Sequence, residues 1–92
     1  VNNGQSCIAA KRFVVHARVA DEFIRLLAVA MASFRTGDPT APGVQLGPLA
    51  RLDLRDELHG QVTRSVRRGA RLVMGGRPPD GPGAYYPPTV LA

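Results

Sequence analysis

Ninety-two residues, 45% of them hydrophobic, make one domain at most, with a thin core, and are too apolar for a disordered chain. The formal charge of +5 comes from eleven arginines and a single lysine, Lys11, set against heavy use of Ala, Gly, Pro and Val. This reads as coding bias rather than selection for a polyanion, so no nucleic-acid partner is expected. No apolar run approaches the roughly 20 residues of a membrane span, no secretory pattern is present, and one cysteine cannot form an internal disulfide. A cytoplasmic protein with no membrane partner is the expectation.

Val1 to Ser6 reads as a loop, and Cys7 to Ala10 as a short helical turn. Arg12 to His16 is rich in β-branched residues and predicts a strand. Val19, Phe23, Ile24, Leu27, Ala30, Met31 and Phe34 form one stripe at helical spacing, which predicts an amphipathic helix over 19–34. Asp21 and Glu22 fall in its first turn, where the helix dipole favours acids. Gly37-Asp38-Pro39 is its expected stop.

Thr36 to Pro48 holds three prolines and three glycines and predicts an irregular crossing. A second helix is expected over 50–68, with Leu54, Leu58, Val62 and Val66 on one face and Gly69 as its C-cap. Arg71 to Met74 reads as a short strand ended by Gly75-Gly76. Arg77 to Pro88 is a loop of Pro, Gly and Tyr, and Thr89-Val90-Leu91 starts another strand. Strands alternating with helices argue for an α/β class with parallel-type strands and two amphipathic helices. Three short strands and two helices would leave a parallel sheet poorly covered. Together with an opening Val1 in place of Met, this leads us to expect a fragment of something larger.

His16 is expected at a strand end and His59 on a solvated helix face. With Cys7 they have no metal-ligand spacing, so no metal site is expected. Arg64, Arg67 and Arg68 lie opposite the Leu/Val face and read as solvated. Gly75, Gly76, Gly81 and Gly83 lack the spacing of a dinucleotide fingerprint. Tyr85 and Tyr86 are expected to pack the loop back on the sheet. Taken alone, Cys7 is best read as a buried structural cysteine.

The residues around Cys7 change that. Asn3-Gly4-Gln5-Ser6-Cys7 resembles the catalytic-cysteine motif of the aldehyde dehydrogenase superfamily. Gly37-Asp38-Pro39 with Leu46-Gly47-Pro48-Leu49, then 69–76, then 86–91, resemble the superfamily's next segments in the same order. Ala10 to Val15 and Ala50 to Leu58 look most like bacterial succinate-semialdehyde dehydrogenases. The resemblance implies that residues 1–92 are part of a catalytic domain, with no separate cofactor-binding domain in this chain. It further implies oxidation of a small aldehyde, such as succinate semialdehyde, with NAD or NADP as cofactor and a homo-oligomeric intact enzyme.

In that reading Cys7 is the nucleophile, forming first a thiohemiacetal and then a thioester. Gly4 and Gln5 shape its turn, and the Cys7 N–H helps to stabilise the oxyanion. Some relatives carry a second cysteine where Ala9 stands, so no redox pair arises within this motif. The activating glutamate and the dinucleotide-binding segments of the superfamily have no counterpart here. No cofactor role passes to Leu54 or Glu57, and the 92 residues alone are expected to be inactive. The other readings left open are a non-catalytic remnant or interaction module with the family's fold elements, and a basic binding module.

Overall fold

The computed structural model describes residues 2–92; Val1, at the head of the expected opening loop, lies outside them. The chain starts with one 3-10 turn, Asn2–Gly4, and then runs without regular structure to His16. Two helices follow, α1 (Ala17–Ala32) and α2 (Leu52–Arg67), then two short strands, β1 (Leu72–Met74) and β2 (Val90–Leu91).

Helix α1 begins two residues before the apolar stripe does. His16 is its N-cap, and the His16 Nδ1 accepts the Arg18 N–H at 3.1 Å. That cap draws the first turn upstream, so Asp21 and Glu22 lie outside it. Glu22 instead pairs with Arg25, one turn along, at 2.6 Å. The helix also ends earlier than expected. Ser33 caps it, with its N–H and its hydroxyl both bonded to the Ala30 carbonyl, before Gly37 is reached. Phe23, Ile24, Leu27, Met31 and Phe34 are half-buried as the stripe predicts, whereas Val19 stands exposed.

On α2, Val62 is buried and Leu54 and Leu58 are half-buried, while Val66 at the far end of the face is exposed. Arg68 closes the helix and Gly69 follows at φ 109°, a conformation that side-chain-bearing residues resist. His59 departs from its expected solvated position. It is half-buried, with its Nδ1 hydrogen-bonded to the Tyr86 hydroxyl at 2.9 Å and the two rings 5.7 Å apart. Tyr86 thus ties its loop to α2, and with Val62, Ala84 and Val90 it is buried in the core of the described residues.

The strand arrangement corrects the expectation in two respects. First, β1 and β2 pair antiparallel, Leu72 opposite Leu91 and Met74 opposite Val90, flanked by reciprocal bonds between Arg71 and Ala92. The link between them is a Pro- and Gly-rich loop with no crossover helix. A loop of that kind reverses a chain, whereas a parallel pair needs a long crossover connection. Second, residues 12–16 belong to no strand. Pairing defines a strand, and β1 and β2 take each other as partners. Phe13 rests tilted on Phe23, ring centroids 5.6 Å apart, while Val14 is fully exposed. An isolated parallel bridge between Thr36 and Leu46 closes the irregular crossing. The α/β class and the two amphipathic helices stand.

Candidate active site

Cys7 sits at the second position of a reverse turn from Ser6 to Ala9, closed by the Ala9 N–H on the Ser6 carbonyl at 3.0 Å. This is a single turn, not the start of a helix. The thiol is free and exposed, and among the described residues no hydrogen bond or ion pair reaches it. A thiol at the corner of a turn is open to an incoming electrophile, and the backbone N–H groups beside it are close to where charge would develop.

The turn is held on both sides. Downstream, the Lys11 ammonium donates to the carbonyls of Ser6 and Ala9, at 2.8 Å each, and so ties its two ends together. Upstream, Asn3 and Gly4 have φ of 55° and 74° and reverse the chain just before Gln5. The Asn3 Nδ2 donates to the Gly47 and Pro48 carbonyls, and the Gln5 Oε1 accepts the Ala50 N–H at 3.1 Å. The strap 47–50 is itself fixed: Leu49 donates its N–H to the carbonyl of buried Ala84 at 2.8 Å, and Gly47 packs closely on Pro39. Two sequence blocks read separately, 3–7 and 46–49, are therefore one structural unit. Gly4, at φ 74°, and Gln5, bonded to Ala50, both belong to this unit. Asn3 and Lys11 were not singled out from the sequence. The available signals were an Asn-Gly pair, which suits left-handed backbone, and the only lysine of the chain.

Three carboxyl groups are held down by their hydrogen-bond partners. The Arg25 guanidinium holds Glu22 below the usual carboxylate range. The Thr40 hydroxyl and then its N–H do the same to Asp38, and hydrogen bonding from Arg51 does so to Asp53. A general base poised near neutrality needs the opposite shift. Burial pushes the Tyr86 phenol up, and that hydroxyl is engaged with His59. Among the described residues no three of His, Cys, Asp and Glu gather as a metal site, and no helix is long and apolar enough to cross a membrane.

Of the glycines at 75, 76, 81 and 83, Gly81 alone has open space where a Cβ would stand. Gly75, Gly76 and Gly83 have positive φ, as phosphate-cradling glycines often do, but the space over each is already filled. A Cβ at Gly75 would strike the Pro88 carbonyl and Thr89; at Gly76 it would meet Leu72, and at Gly83, Tyr85. The Gly76 N–H, a natural phosphate donor, is taken by the Thr89 hydroxyl at 2.9 Å. These glycines serve close packing of the chain on itself.

A free, exposed thiol on a turn pinned by Asn3, Gln5 and Lys11 is the feature that the described residues offer as a site. The family model for the aldehyde dehydrogenase family matches residues 1–92, and the chain belongs to that family. It is 52% identical over 90 residues to a succinate-semialdehyde dehydrogenase of Mycobacterium avium (strain 104) whose name carries NADP(+), covering 98% of this chain and 19% of that protein. It is 50% identical over 91 residues to a succinate semialdehyde dehydrogenase of Escherichia coli (strain K12) whose name carries NAD(P)+, covering 99% and 20%. The crystal structure of lactaldehyde dehydrogenase from Escherichia coli superposes with a TM-score of 0.94 at 36% identity, over 99% of this chain and 19% of that one. The chain thus spans about one fifth of the length of the curated relatives it matches.

Proposed function

We propose that residues 1–92 are the nucleophile-bearing part of the catalytic domain of an NAD(P)+-dependent aldehyde dehydrogenase, with Cys7 as the nucleophile. The observation that carries this reading is the free Cys7 thiol on a turn pinned by Lys11, Asn3 and Gln5, in a chain matched throughout by the family. Succinate semialdehyde is the substrate we assign, on the strength of about 50% identity to relatives named for it.

The Cys7 thiolate adds to the aldehyde carbon, the carbonyl oxygen becomes an alkoxide, and the thiohemiacetal forms at Sγ. In this reading N–H groups of the turn stabilise that oxygen. Oxidised nicotinamide is the hydride acceptor in such an enzyme. In this reading the chain contributes the thiol and its turn. We assign the base and the dinucleotide seat to the four fifths of the relatives' length that lies outside the matched stretch.

The test uses the native polypeptide that contains these residues, assayed with succinate semialdehyde and each dinucleotide. Cys7→Ser should lower turnover at least about a thousandfold, as removing a covalent nucleophile does. Quenching during turnover should add a succinyl group to the Cys7 peptide in the parent only. Unchanged turnover in Cys7→Ser overturns the assignment.

A further inference from the structure

Asn3 is, among the described residues, the one non-glycine with positive φ. A left-handed conformation disfavours most side chains, and Asn tolerates it better than most. Its carboxamide also makes specific contacts. The Nδ2 has two hydrogens and meets two acceptors, Gly47 O at 2.8 Å and Pro48 O at 2.9 Å, which lie 44 and 45 positions away in the chain. Both donors are therefore used. The strap that offers these carbonyls continues into Leu49, whose N–H is bonded to buried Ala84. A continuous line of contacts thus runs from the core, through 49, 48 and 47, to Asn3, which stands four positions before Cys7.

Neither acceptor of Asn3 belongs to α1, α2, β1 or β2. Removing the carboxamide should therefore loosen the turn without unfolding the helices. Gln5 supports the same strap at Ala50, whose N–H its Oε1 accepts.

We propose that Asn3 is a positioning residue for Cys7, holding the nucleophile turn against the 47–48 carbonyls of the strap. The proposal rests on the reading of Cys7 as nucleophile. Two variants separate side chain from backbone. Asn3→Asp keeps the size and the tolerance of left-handed backbone but turns carboxylate oxygens toward two carbonyls. Asn3→Gly keeps the backbone conformation and has no donor.

In the native polypeptide, with succinate semialdehyde as substrate, both variants should lower kcat by about ten- to a hundredfold, the usual penalty for a reacting group displaced by about 1 Å. KM should stay within about twofold, and amide exchange at Gln5 to Ile8 should quicken by about tenfold while α1 and α2 keep theirs. Parental kcat in both variants overturns the proposal. So does parental kcat in Asn3→Gly alone, since backbone shape would then suffice, and so does a loss that tracks unfolding of the helices. Cys7→Ser is run alongside. If it is inactive while both Asn3 variants are fully active, this proposal alone fails. If it stays fully active, the nucleophile reading fails, and this one with it.

Discussion

Gly4 and Gly75 have the same backbone conformation, φ 74° and 73°, in different surroundings. A Cβ at Gly4 would meet nothing within 4 Å, whereas one at Gly75 would run into the Pro88 carbonyl and both Oγ1 and Cα of Thr89. Replacing either with alanine incurs the left-handed penalty of roughly 1–2 kcal/mol. Only Gly75→Ala adds overpacking, roughly 1–3 kcal/mol more, because a backbone carbonyl cannot rotate out of the way as a flexible side chain can. The expected destabilisation is therefore about 2–5 kcal/mol at Gly75 and at most about 1–2 kcal/mol at Gly4. Urea unfolding followed by far-ultraviolet circular dichroism, on parent and variants with equal slopes, measures both. The reasoning fails if Gly75→Ala is no more destabilising than Gly4→Ala. It fails equally if Thr89→Ala restores Gly75→Ala, since the Pro88 carbonyl would still stand in the way. Activity should show the reverse order, because Gly4 shapes the Cys7 turn and Gly75 lies among the packing of β1 on the 88–89 segment.

Tyr86→Phe removes the hydroxyl that meets His59 but keeps the ring contact, and should cost about 1–2 kcal/mol in the same unfolding experiment; no loss would mean that the hydrogen bond contributes nothing. Acid should weaken α1 through Glu22, whose carboxyl is held below 4.5 by Arg25. A depressed acid contributes stability that is fully present above the unfolded value and lost as pH falls through the lower folded one. Helicity should therefore fall off more steeply below about pH 4.5 in the parent than in Glu22→Gln, and since the pair is exposed, added salt should shrink the difference.

The parts of this molecule legible in the sequence are those that depend on residue type at short range. The stripe Phe23, Ile24, Leu27, Met31 announces α1, and Leu54, Leu58, Val62 announce α2, because a helix buries one face at a fixed period. The turn that carries Cys7 is legible for the same reason, since it is built from adjacent residues. Strand pairing is different. The β-branched run 12–16 does predict extended backbone, but no local pattern says whether a neighbour will bind it, and the antiparallel pairing of β1 with β2 followed from the loop between them rather than from either strand. The start of α1 was misplaced because histidine took a capping role more often filled by Ser, Thr, Asp or Asn.

The supports of the candidate site were the hardest to read, for a physical reason. Asn3, Lys11 and the Leu49 N–H all bond to backbone carbonyls, at Gly47 and Pro48, at Ser6 and Ala9, and at Ala84. Every residue offers such an acceptor whatever its side chain, so the receiving end leaves no mark in the sequence. Only the donor end is visible, as an asparagine before a glycine and a solitary lysine. Those donors matter here because the turn has little else to hold it: Cys7 and Ile8 are exposed and bury no apolar surface against the core. Where burial does not fix a segment, a few directed hydrogen bonds must. In this chain those bonds fall on the residues that flank the thiol.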